Sequence, residues 1–407
     1  MKNIHNTNTP HLSGFIMCLI GLLAIAFSIT LRVEPGDLID SLLRQLHTSP
    51  QALNDLVTHY QYALIAALLL AGIVVDIAGP RLTLVLALAT AIFGNHLFAN
   101  AQSTDNVYYS RVIIGLAHPF ILISVLTLGT LSLPRRHFAF FVGLVFVTLL
   151  MLPNIIAPYL SRITTREVLS NVAMWMNVFV AGLMVLVLLS FGIKKFVAIK
   201  PRSFKQICLP FAQTHIWMIG LVSLLGWLPN TFLLNYGANY LIDSFHVNEH
   251  TANETVRLAF SCFALGAIIP GIFAGFMKKK RLLIATGYGL ATITFCIVLY
   301  VPNLAFTTAA TLIFLTCFFT SVAIICYAKA YDYCREGHTG ITFGLVACIT
   351  TIGNTLMARL FGYLISKYSS TFPVVSVWHW ILTLIPLALI LGAVCALTLR
   401  KPATMNM

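Results

Sequence analysis

Charge is what this sequence has least of. Only 9% of its 407 residues are Asp, Glu, Lys or Arg, against 59% that are hydrophobic. A folded domain with so little polar surface cannot cover itself in water, so a soluble globular fold is excluded. Acidic side chains are the scarcest, twelve in all. Each lies in a loop or at the end of an apolar run, and none stands mid-run as a ready proton carrier. The nine cysteines are scattered, with Cys18, Cys262, Cys317 and Cys348 inside apolar stretches. They form no CxxC pair and no Cys/His ligand spacing, so they read as small buried residues, and neither a metal nor another cofactor is expected. There is no H-E-x-x-H, no G-x-S-x-G and no pair of aspartates within an apolar run. Nothing therefore supplies a nucleophile with its base, and an enzyme is not expected.

What the chain does have is apolar length. Twelve runs cover residues 12–31, 56–75, 82–101, 112–133, 138–160, 172–193, 213–235, 255–277, 282–301, 304–328, 340–366 and 374–399. A run of about 20 apolar residues crosses the roughly 30 Å hydrocarbon core as a helix. The first run lacks a small-residue cleavage site before a polar domain and is read as a retained helix. The expectation is an all-α integral membrane protein of twelve transmembrane helices, with the lipid bilayer as its surroundings. Placing the N-terminus in the cytoplasm puts 17 of the 25 Lys and Arg on the inner side and leaves 8 outside or within spans. The positive-inside rule then sets both termini in the cytoplasm. The net charge of +13 is thus a topology signal, and no nucleic-acid partner is expected.

One clear linker, KKFVAIKPRSFKQ at residues 194–206, separates six spans from six. It predicts two pseudo-symmetric halves, residues 1–193 and 207–407. The stretch Ala71 to Arg81, AGIVVDIAGPR, ends the second span and turns into the third. Gly72, Gly79 and Pro80 suit a tight turn. Asp76 sits at the negative end of a helix dipole, which is unfavourable unless a cation or another helix's N-terminus answers it, so the turn predicts an inter-helix latch. An ordinary Gly-Pro junction is the plainer alternative. Interior prolines predict a bend in the fifth span at Pro153 and Pro158 and a break in the seventh at Pro229. The first loop carries Leu38, Leu42, Leu43 and Leu46 at helical spacing.

The Ala71–Arg81 turn resembles the loop between the second and third helices of the major facilitator superfamily, whose pattern runs roughly G-x-x-x-D-x-x-G-R/P-R. The six-plus-six layout resembles that family's parallel repeat over essentially the whole chain. With R-V-E-P from Arg32 and D-I-A-G-P-R from Asp76, the chain looks like a bacterial branch with an R-V-x-P first helix, which includes amino-acid and nucleoside carriers. The second half departs from the pattern, since GFMKKKR after the eighth span has no acidic residue where Asp76 stands. The resemblance implies a transporter of the bacterial inner membrane, a monomer, using alternating access and a proton gradient. Gly72, Asp76, Gly79 and Arg81 would act in gating. Ser110 to Gly115, S-R-x-x-x-G, resembles the fourth-helix pattern whose Arg lies inside the bundle, and implies a coupling or packing role for Arg111.

An ionised side chain within a bilayer is a functional candidate by default. Arg32, Arg111, Arg257 and Arg359 meet that test; for Arg257 a local pair with Glu254 is the simpler reading. Arg359 is the candidate to hold a substrate carboxylate, with Asn354 nearby. Proton coupling would fall to Glu34 or Asp37, or to His96 or His118, whose ordinary pKa near 6.5 suits the task; a lone His is otherwise a packing residue. Tyr60, Gln61, Asn154, Trp227, Asn230, Asn235 and Tyr236 belong to helices that line the cavity in this family, and core packing is the competing reading for each. The function expected is secondary active transport of a small polar, carboxylate-bearing solute, an amino acid first. The alternatives are an exporter of a siderophore or drug, and a non-transporting sensor.

Overall fold

Polar caps, and not the ends of the apolar runs, decide where several helices begin. The fourth helix starts at Thr104, eight residues before its apolar run, because Ser103 accepts a hydrogen bond from the Asn106 backbone nitrogen. The eighth starts at Glu249, where Asn248 accepts from the Thr251 nitrogen at 2.8 Å. The seventh runs on to Phe245 and stops at His246, whose φ of 54° is left-handed.

The computed structural model describes residues 12–37, 50–160, 166–190, 209–277, 279–334, 337–369 and 373–399. The linker at 194–206 and the leucines at 38–46 lie outside the described residues. The helices are α1 (Leu12–Asp37), α2 (Pro50–Ala78), α3 (Pro80–Ala99), α4 (Thr104–Ser132), α5 (Arg135–Leu160), α6 (Arg166–Leu189), α7 (Thr214–Phe245), α8 (Glu249–Phe276), α9 (Lys280–Tyr300), α10 (Phe306–Thr320), α11 (Ile325–Tyr333), α12 (Thr339–Tyr368), α13 (Val374–Leu382) and α14 (Leu384–Thr398). A 3₁₀ turn, Ser321–Ile324, joins α10 to α11 within one span, and α13 and α14 form the last. Among the described residues, twelve helical stretches are long and apolar enough to cross a membrane.

Prolines leave the helices whole. α5 runs unbroken past Pro153, and α7 runs unbroken past Pro229, where a break was expected. A proline removes one hydrogen bond, and in a membrane helix local adjustment re-satisfies the freed carbonyl without water competing for it.

The chain packs into two units. The first comprises residues 1–135, 151–212 and 334–345, and the second 136–150, 213–333 and 346–407. Each therefore takes in a segment from beyond the linker boundary. Inside the first unit α4 packs on α1, α2 and α3, and α6 on α1 and α3. Inside the second, α10 packs on α7, α8 and α9, and α14 on α7 and α9. The internal order is the same. A polar detail repeats with it: Arg81 at the start of α3 donates to the Ser190 carbonyl after α6 (3.0 Å), and Arg281 at the start of α9 donates to the Leu397 carbonyl in α14 (3.1 Å). In both units a guanidinium satisfies a carbonyl left over at a helix C-terminus.

Candidate functional site

The turn at residues 76–81 is built from backbone outward. Gly79 has φ 86° and ψ 149°, a backbone conformation essentially confined to glycine. Its nitrogen donates to the Val75 carbonyl (3.0 Å) and closes α2, while its carbonyl accepts from Thr83 Oγ1 (2.8 Å) and opens α3. Pro80 then needs no partner for its missing N–H. Asp76, one turn back, meets the start of α12. Its Oδ1 accepts from the Gly340 nitrogen (2.7 Å) and its Oδ2 from the Ile341 nitrogen (2.8 Å). Those two N–H groups are left over at a helix N-terminus, where the dipole favours an anion. Gly72 lets the backbones touch: a Cβ there would lie 2.7 Å from the Gly340 oxygen and 2.9 Å from Ile341 Cα. In the second unit Gly271 backs closely onto Ala139 with no carboxylate in the corresponding place.

A buried polar cluster lies at the meeting of α1, α2 and α4. His118 Nδ1 is 2.6 Å from Ser28 Oγ, and both residues are buried. The Tyr60 ring stands edge-on to the imidazole at 6.4 Å, and its buried hydroxyl has no hydrogen-bond partner among the described residues. Arg32, one turn after Ser28 on α1, is exposed. Arg111 is 1% exposed. It donates to the Leu31 carbonyl (2.7 Å) and lies over the Phe98 ring, 4.4 Å from the centroid. Phe98 belongs in turn to an apolar cluster with Leu56, Val107 and Leu169. The guanidinium is thus held by a carbonyl and an aromatic face.

The second unit has an aromatic group of its own. Trp227 lies 4.7 Å from Phe263 and 5.9 Å from Phe146, and Phe146 is 5.7 Å from Tyr327, ring centre to ring centre. Asn230, one turn along α7 from Trp227, is buried. Its Nδ2 donates to Thr320 Oγ1 (3.3 Å), and its Oδ1 has no partner among the described residues. Thr320 immediately precedes the 3₁₀ turn, an irregularity that often marks a functional position in a helix. Tyr236 donates to the Ala358 carbonyl (2.9 Å) next to Arg359.

The remaining candidates are dispersed. Arg359 is exposed on α12, alongside exposed Leu356, Leu360 and Tyr363. Asn354 is half-buried, with its Oδ1 enclosed. Gln61 and Asn154 are half-buried, and Asn235 is exposed and bonded to its own helix at the Thr231 carbonyl (2.8 Å). His96 is exposed and engaged with Asn100. Glu34 and Asp37 fall in the last turn of α1, with side chains outside the described residues. Arg257 is paired with Glu254 one turn away. Among the described residues no three of His, Cys, Asp and Glu converge as a metal would require.

The sequence matches the family model described as Major Facilitator Superfamily over residues 12–248 and again over 216–406. The chain belongs to the Major Facilitator Superfamily. It is a transporter of that family, not an enzyme. No curated protein matches the chain by sequence. Among solved structures it resembles the Major Facilitator Superfamily transporter FucP in the outward conformation (TM-score 0.74, 13% identity, covering 96% of this chain and 100% of that one). It also resembles a second structure of FucP, the E. coli fucose:proton symporter (TM-score 0.72, 15% identity, 96% and 100% covered). A third is the proton:xylose symporter XylE bound to 6-bromo-6-deoxy-D-glucose (TM-score 0.71, 13% identity, 95% of each chain covered).

Within this Major Facilitator Superfamily chain, several groups at the sites escaped sequence reasoning. Ser28 is a lone hydroxyl in an apolar run, and its partner is 90 residues away. Gly340 and Ile341 act through backbone nitrogens, which leave no side-chain signature beyond a glycine at a helix start. Phe98 looks like any core phenylalanine. Thr320 could have been noticed only through the polar pair Thr320-Ser321 in an apolar run.

Proposed function

We propose that this protein is a proton-coupled secondary transporter of a small polar solute, working by alternating access in a bacterial inner membrane with both termini cytoplasmic. The observation that carries the coupling is the buried Ser28–His118 pair at 2.6 Å. Imidazole is the side chain whose charge changes near neutral pH, and protonation makes both ring nitrogens donors, so a bond that Ser28 donates to Nδ1 would have to reorganise. That reorganisation would link proton occupancy to the packing of α1 on α4. The excess of arginines over carboxylates in and near the spans supports an anionic group on the solute, and an amino acid is the first choice, with Arg359 the residue to hold its carboxylate.

A second reading, a neutral hydroxylated solute, rests on one observation: Trp227, Phe146, Phe263 and Tyr327 form an aromatic surface beside Asn230, whose buried Oδ1 awaits a donor. FucP and XylE, similar in fold, carry the sugars in their names.

The test is uptake into proteoliposomes under an imposed pH gradient, with amino acids, nucleosides, sugars and iron chelators as the panel. His118→Gln should abolish gradient-driven accumulation yet retain exchange of solute across the membrane. Accumulation unaffected by the substitution would exclude His118 as the coupling group. Absence of uptake for every solute would favour the sensor, and outward pumping the exporter.

A further inference from the structure

Between the start of α9 and the end of α14 lies an open cleft of about 550 Å³, lined by Arg281, Leu282, Val394, Leu397 and Thr398. Its composition is divided. Leu282, Val394 and Leu397 are 39%, 54% and 45% exposed and present an apolar wall toward the outside of the bundle. Arg281 supplies the polar end. One of its amino groups donates to the Leu397 carbonyl (3.1 Å), which fixes the guanidinium at the mouth, and its other N–H groups have no partner among the described residues. Among the described residues no acid pairs with it: Asp332 is taken by Lys280, with both oxygens at 3.0 Å from Nζ. In the sequence, Lys279 and Lys280 immediately precede Arg281.

We propose that this cleft docks one anionic phospholipid, its phosphate on Arg281 and an acyl chain along Leu282, Val394 and Leu397. An apolar groove that opens sideways from the helices and ends in a fixed guanidinium matches a molecule with a long chain at one end and a phosphate at the other. Basic pockets between membrane helices bind such headgroups on the same principle, and the fork of Arg suits phosphate. With Lys280 already paired to Asp332, the Arg281 charge is left to select an anionic headgroup over a zwitterionic one. Because Arg281 also satisfies the Leu397 carbonyl, the lipid would sit on the bond that holds α9 to α14.

The test uses the full chain in detergent. Native mass spectrometry counts retained phosphatidylglycerol, and thermal unfolding is followed with phosphatidylglycerol, phosphatidylcholine or glycerol phosphate added. The wild type should keep one phosphatidylglycerol that phosphatidylcholine does not replace, with a matching rise in melting temperature. Arg281→Gln and Val394→Trp, the second of which fills the groove from an exposed position, should each weaken that binding at least tenfold. If Arg281→Gln fails to fold, Val394→Trp decides alone. Equal retention in the variant and the wild type overturns the proposal. An equal effect of glycerol phosphate overturns the lipid in favour of a soluble phosphate.

Discussion

Asp76 and Gly340 stand 264 positions apart, and a carboxylate oxygen of the first is 2.7 Å from the backbone nitrogen of the second. With the Ile341 nitrogen on the other oxygen at 2.8 Å, both acceptor atoms of Asp76 are used, and both donors are N–H groups left over at the start of α12. The pair is charge-assisted, and such hydrogen bonds contribute about 1.5–3 kcal/mol each.

Asp76→Asn leaves one carbonyl oxygen, so only one of the two bonds survives. Turnover in proteoliposomes should fall several-fold while solute affinity stays within a few-fold of wild type. A large loss of affinity at normal turnover would place Asp76 in binding and not in gating.

Gly72→Ala should destabilise the protein by about 1–3 kcal/mol, the usual range for overpacking, because the new methyl would meet the Gly340 oxygen at 2.7 Å. Gly289→Ala in α9 is the contrast: nothing lies within 4 Å of its Cβ position, and a mid-helix glycine costs roughly 0.5–1 kcal/mol relative to alanine. Melting temperatures should move in opposite directions, and a common direction would argue against the close crossing.

Cys334 reports on the same latch. Its thiol donates to Thr339 Oγ1 and accepts from Thr342 Oγ1, both at 3.6 Å. Burial pushes the thiol up, the two threonine hydrogen bonds pull it down, and the charge of Asp76 adds to the rise. A raised pKa means less thiolate at any given pH below it, so a maleimide should react more slowly with Cys334 than with a free thiol and speed up as pH rises. In a background retaining only this cysteine, Asp76→Asn should accelerate labelling. An unchanged rate would mean that the thiol and the latch open independently.

Arg359 remains the residue proposed to hold a solute carboxylate, and its exposure sets the size of the effect. A screened arginine gives less than a buried one, so Arg359→Ala should weaken binding about tenfold, or ~1.4 kcal/mol. Arg359→Lys should recover part of it, since the charge returns without the fork. Unaltered affinity in a folded Arg359→Ala protein would move the role to Arg32.

The twelve spans were legible because apolar length is a strong signal in a sequence this poor in charge. Their ends were less so: α4 and α8 begin at Ser103 and Asn248 caps well before the apolar residues start, and helix ends follow hydrogen bonding more than hydropathy. Pro229 misled for a related reason, since proline breaks helices most readily where water can take the freed carbonyl. The Asp76 turn was readable because an unfavourable charge at a helix end demands an answer. What answered it was not, because backbone nitrogens at a helix start carry no residue signature. His118 could be picked out as a titratable group in an apolar run, but Ser28 could not be named as its partner before α1 was packed on α4.

The first unit's inclusion of residues 334–345 bears on synthesis. Asp76 is made 264 residues ahead of Gly340, which at roughly 5–20 residues per second is a wait of about 13 to 53 s. During that interval the carboxylate has no helix terminus to meet, and the flat face at Gly72 has no backbone against it. The first half therefore enters the membrane with this close crossing unmade, and a ribosome stalled between the two positions would leave that face open to lipid or to an insertase.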